Sequence, residues 1–160
     1  MTKLQVSSKK HNRILEFITS ADHERRGVAF LILDDSKVTA KNEFDKLKKN
    51  TQRHFRKRFE TWQIGLIKND WYHGWDKSEF SGKYTKCFVF EYKSKNKGNR
   101  FYGFLCNPKD ENPRYQLCVL INHIIKRQYK TQIAFLDIVE TFRTTLKIQK
   151  KIKDFFKENQ

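Results

Sequence analysis

Three stretches decide how this chain is read: KYTKCFVFEYKS (83–94), NRFYGFLC (99–106) and YQLCVLINHII (115–125). In the first, Phe88, Phe90 and Tyr92 alternate with Cys87, Val89 and Glu91. In the third, Leu117, Val119 and Ile121 alternate with Cys118, Leu120 and Asn122. A period of two in β-branched and aromatic residues predicts strands. The intervening KSKNKGN and NPKDENPR have turn composition, so the three strands form an antiparallel meander. The last strand runs into HIIKRQYKT, a basic cluster with one histidine, placed where the chain leaves the sheet. Thr131 is positioned to cap the next helix. Phe135, Val139, Phe142, Leu146, Ile152 and Phe156 keep helical spacing, and the basic end KIQKKIKDFFKENQ is expected to project from the body.

Upstream of the meander, VAFLIL (28–33) is a continuous apolar run bounded by Gly27 and by Asp34, Asp35 and Ser36, as suits a buried central strand. Thr39 is placed to cap a helical stretch. Phe44, Leu47, Phe55, Phe59, Trp62 and Leu66 recur at helical spacing, with a break near Asn50 and Thr51 that divides the stretch in two. Its other face carries Lys48, Lys49, Arg53, Arg56, Lys57 and Arg58, either a solvated basic face or a second contact to an RNA backbone. Trp71, Tyr72 and Trp75 read as cover for a core edge, with stacking on bases as the alternative. Residues 1–26 are set apart as a polar appendage, and 27–160 as one domain. The expected fold is α+β: a small antiparallel sheet, an N-terminal helical hairpin on one face, and a C-terminal helix.

Charge sets the class of partner. Lys and Arg number 34 against 18 Asp and Glu, a net charge of +16. Such an excess opposes compactness by self-repulsion, and an acidic partner is the natural reason for it. Nucleic acid is the commonest partner of this kind, and an acidic protein is the other. No apolar run reaches the length of a membrane span, and MTKLQVSSKK lacks the apolar segment of a secretory signal. Cys87, Cys106 and Cys118 are odd in number with no CxxC, which predicts reduced core thiols in a cytoplasmic setting. The five histidines form no HxxxH pair, so no metal or other cofactor is expected.

FVFEYKS, NRFYGF and VLINHIIKRQYKTQIAFLDIVETFR, in that order, give the chain a resemblance to the RelE/HigB-like toxin superfamily, particularly its phage-derived HigB branch. The resemblance spans roughly residues 28–146. Glu91 and Lys93 stand where that family has a Glu beside a basic residue, and Arg100 opens the next strand. His123, Lys126, Arg127, Lys130 and Thr131 follow the spacing of its last strand and turn. The chain departs from the pattern at Gln132, where Pro is usual, and at Tyr92 and Lys93, where an Arg follows the Glu.

The resemblance implies a RelE-like fold and a metal-independent endoribonuclease, the toxin of a toxin–antitoxin pair. Its partners would be mRNA, the ribosome and an acidic or helix-turn-helix antitoxin. In such a reaction the RNA's own 2′-hydroxyl attacks the adjacent phosphate. A base takes the 2′-proton, cations hold charge on phosphorus, and an acid protonates the leaving 5′-oxygen. The candidate catalytic residues are Arg100 as phosphate clamp, His123 as acid or base, and Lys126, Arg127 and Lys130 around the phosphate. Glu91, Lys93, Tyr129 and Arg143 are candidate substrate contacts, Tyr129 by stacking and Glu91 by orienting a cation or acting as base. A second function class is a non-catalytic, basic nucleic-acid-binding protein on the same scaffold.

Overall fold

A computed structural model describes residues 13–18, 24–95, 97–126 and 133–158. Six strands form one sheet: β1 (Leu15–Phe17), β2 (Arg26–Leu31), β3 (Tyr72–Gly74), β4 (Cys87–Ser94), β5 (Lys97–Cys106) and β6 (Gln116–Lys126). Their spatial order is β1-β2-β6-β5-β4-β3. β2 and β6 are parallel and every other neighbouring pair is antiparallel. Helices α1 (Ala40–Lys46), α2 (Lys49–Gln63), α3 (Ile133–Thr144) and α4 (Leu146–Glu158) cover the sheet.

The apolar run of β2 explains why both faces are covered. Val28 and Phe30 point to one core with Phe44, Phe55, Phe59 and Trp62 from α1 and α2. Ala29 and Leu31 point to the other, with Leu136, Val139 and Phe142 from α3 and Ile148, Ile152 and Phe156 from α4. An unbroken apolar run such as Val28–Leu31 is stable when buried on both sides, and here it lies parallel to β6 between two helical layers.

These observations correct the expected fold class. The sheet is six-stranded and mixed, larger than a small antiparallel RelE-like sheet. The helical hairpin expected at its N-terminal side is not shown. A seven-residue helix and a fifteen-residue helix stand there in succession, separated at Leu47 and Lys48. The closing helix is in fact two, broken at Thr145. The second does not project: Ile148, Ile152 and Phe156 are buried, and Phe156 meets Phe17 and Tyr115 edge-on. Within the stretch set apart as an appendage, Leu15–Phe17 pairs with β2 and Leu15 is buried.

One irregularity determines which side chains share a face of the sheet. Tyr102 pairs with Asn122, but Gly103 pairs with Leu120, so Ile121 is an extra residue on β6. A Cβ at Gly103 would lie 2.0 Å from the Val119 carbonyl oxygen, an approach that only glycine allows. Thr39 stands at the N-cap of α1, as expected, but its side chain makes no cap bond. It serves the bulge instead: its N–H donates to the Ile121 carbonyl at 2.9 Å, and its Oγ1 accepts from the His123 N–H at 3.2 Å.

Candidate functional site

Arg100, Glu91 and Lys93 come together. Glu91 and Arg100 are cross-strand partners on β4 and β5, and Arg100 Nε lies 3.1 Å from Glu91 Oε1. Arg100 is buried to 7% exposure, while the Glu91 side chain keeps 26%. The second branch of Arg100 reaches the Tyr102 hydroxyl at 3.4 Å. Two register steps further, Lys93, Gly98 and Lys126 form a row across β4, β5 and β6. Residues two apart on a strand share a face, so the Glu91–Arg100 pair and exposed Lys93 occupy the face that α3 covers.

His123 is not with them. It pairs with Phe101, one residue out of step with Arg100, and lies on the opposite face under α1 and α2. Its ring packs 4.6 Å from the Phe101 ring, and Nε2 donates to Asn99 Oδ1 at 3.1 Å. Burial pushes its pKa down to about 4, with Glu43 opposing, so the imidazole is neutral at pH 7. The bulge is the cause. If the Gly103–Leu120 register ran on unshifted through Ile121, His123 would stand opposite Arg100 on one face. With the bulge, the alternation that runs Leu117, Val119, Ile121 reverses before His123.

Arg143 is also elsewhere. Its guanidinium makes two bonds to Glu140, at 2.7 and 2.9 Å, and Glu140 Oε1 accepts from Cys87 Sγ at 3.4 Å. Cys87 is four residues along β4 from Glu91, about 13 Å at strand rise. Arg127, Tyr129, Lys130 and Thr131 lie outside the described residues, and Lys126 is placed by its backbone register alone.

Three polar residues that sequence reasoning passed over share the Arg100 face. His73, Val89, Tyr102 and Asn122 form one cross-sheet row through β3, β4, β5 and β6. Burial lowers the pKa of His73 against an opposing pull from Glu91. Its ring meets Trp75 edge-on at 5.2 Å, and Trp75 stacks near Tyr102 at 6.2 Å. Asn122 is 2% exposed. Its amide donates to the Phe135 carbonyl at 3.4 Å, and its Oδ1 has no hydrogen-bond partner among the described residues. The signal for Tyr102 was its i+2 spacing from Arg100. His73 sits in a segment of turn composition and gave none.

The other face carries a different assembly. Arg58, read from sequence as part of a solvated basic face, is buried to 9% exposure. Its Nε donates to the Glu91 carbonyl at 2.7 Å and NH1 to the His54 carbonyl at 3.1 Å. Its guanidinium lies 4.5 Å from the Trp71 ring centroid and 4.8 Å from that of Tyr92. Burial lowers its pKa, so two carbonyls and two rings offset part of a real desolvation cost.

The thiols are held as thiols. Cys87 and Cys118 are buried and Cys106 is half-buried, all three free. Burial raises each pKa, that of Cys106 to about 12. Among the described residues no cluster of His, Cys, Asp and Glu is grouped to hold a metal ion, and no helix is long and apolar enough to cross a membrane. No protein-family model matches the chain, and no characterised protein or solved structure is detectably similar to it.

Proposed function

We propose that this chain acts on RNA in the cytoplasm, binding it through its basic surface, and that it is the endoribonuclease of a toxin–antitoxin pair. The observation that carries the binding is the disposition of the charge. Lys48, Lys49, Arg53, Arg56 and Lys57 on α2 and the loop before it, and Lys147, Lys150, Lys151, Lys153 and Lys157 on α4, are all exposed. Among the cations whose side chains are described, only Arg58 and Arg100 are buried, and a surface so rich in exposed cations suits a partner rich in negative charge. The endoribonuclease part rests on the resemblance carried by Glu91, Arg100 and the turn after His123.

Among the described groups, the chemistry falls to the α3 face. Arg100 would hold the phosphate, Glu91 would orient it, and His73 supplies a neutral imidazole on the same face of the neighbouring strands. An antitoxin and the ribosome would be the protein and ribonucleoprotein partners. A specific observation favours the non-catalytic alternative: His123 is buried, neutral and on the wrong side of the sheet from Arg100.

Induced expression with mapping of mRNA 5′ ends separates the two. Cleavage by 2′-hydroxyl attack leaves a 2′,3′-cyclic or 3′-phosphate and a free 5′-hydroxyl, and it persists in EDTA. Arg100→Lys keeps the charge but loses the planar fork, and should reduce cleavage by about 10²–10³. His123→Gln should leave it nearly unchanged. RNA binding without cleavage would favour the non-catalytic reading, and 5′-phosphate products would exclude the mechanism.

A further inference from the structure

The cation and aromatic side chains between α2 and β4 form a continuous column. Lys68 Nζ lies 4.2 Å from the Trp71 ring centroid, Arg58 sits between Trp71 and Tyr92, and Tyr92 stacks on His54 at 4.3 Å with 12° between planes. Trp71, Tyr92 and His54 are half-exposed, unlike Trp62 and Trp75, which are buried. Exposed Arg53 and Lys57 flank the column on α2. Arg58 has no carboxylate within ion-pair distance among the described residues, so its charge is offset by dipoles and rings only.

A core needs none of this. Tyr92 and Trp71 could be apolar residues of similar volume, and a desolvated arginine costs stability unless something rewards it. Half-buried rings at the surface, two of them stacked on each other and two of them against one guanidinium, with exposed cations beside them, have the form of a surface on which successive bases stack while cations take the backbone. The bases of a duplex are already stacked on one another, so single strands are the form that fits. We propose that the His54–Tyr92–Arg58–Trp71 column is a stacking platform for the bases of single-stranded RNA. This rests on the proposed RNA binding and places one contact of that surface on the face opposite Arg100.

The test uses the full chain and a fluorophore-labelled single-stranded oligoadenylate. Trp71→Leu and Tyr92→Leu should each weaken binding about 5–150-fold, the equivalent of one lost base stack, with the salt slope unchanged. Lys48→Ala with Lys49→Ala should instead make the slope shallower by about 0.7 per lost contact. Trp71→Phe should bind close to the wild type. In the unmodified protein, saturating oligoadenylate should quench tryptophan emission, because Trp71 is the half-exposed indole. That readout stands if a variant fails to fold. Unchanged affinity of folded Trp71→Leu and Tyr92→Leu, absence of quenching at saturation, or equal affinity for duplex RNA would each overturn the platform while leaving RNA binding intact. No RNA affinity at low salt would overturn both readings together.

Discussion

His123 is the residue whose environment most changes what its chemistry can be. A histidine free in the unfolded chain titrates near 6.5, and in the fold burial holds it to about 4. The folded pKa is the lower one, so the unfolded state binds the extra proton between these values and stability falls as pH drops from about 6.5 to about 4. The full difference is on the order of 3 kcal/mol for this group. Denaturation midpoints followed over that range should show the loss, and His123→Gln should remove most of it; an unchanged pH profile in the variant would contradict the buried neutral assignment. Arg100 and Glu91 give a second prediction at this scale. A surface ion pair contributes about 0.2–1 kcal/mol, but this arginine is desolvated. A double-mutant cycle of Arg100→Ala and Glu91→Ala should return a coupling above about 1 kcal/mol, and a coupling near zero would show the pair to be incidental.

Among the elements, the β6 bulge decides the layout. Gly103→Ala would press a methyl against the Val119 carbonyl, and backbone cannot yield as a side chain can. It should destabilise by about 1–3 kcal/mol in denaturant titration, whereas a neutral substitution would mean that the strands part easily there. The α4 packing predicts that Ile152→Ala costs about 2–5 kcal/mol, while loss of a projecting tail would cost nothing. Much of the element order was legible in the sequence. The meander strands followed from alternation in CFVFEYKS and LCVLIN, and the central strand from VAFLIL. What was not legible was the side on which a residue falls after the bulge. An inserted residue reverses every later side chain and leaves no mark in composition, apart from a glycine facing it. The parallel β2–β6 pairing and the edge strands β1 and β3 also depend on distant partners that local periodicity cannot reveal. Ile152 and Phe156 were legible at helical spacing, but the lysines between them made the end look like a projecting tail, and the packing of α4 through Ile148, Ile152 and Phe156 was missed.

As a whole, the molecule is a buried, nearly uncharged double core clothed in lysine and arginine. Among the side chains described, Arg58 and Arg100 are the only buried ones of Lys, Arg, Asp and Glu, so the excess positive charge of the described residues is a surface property. It repels itself and should be relieved by a polyanion, with stability rising when one binds. That relief is shared by any acidic partner, but its form differs. A nucleic acid surrenders condensed counterions on binding, which gives a log-linear dependence on salt. The most direct measurement is therefore the affinity of the full chain for single-stranded RNA across a salt series. With about five phosphates neutralised, log K should fall linearly with log salt at a slope of roughly −3.5, from about −0.7 per contact. A flat response, or no measurable affinity at low salt, would contradict the claim that this surface exists to hold RNA.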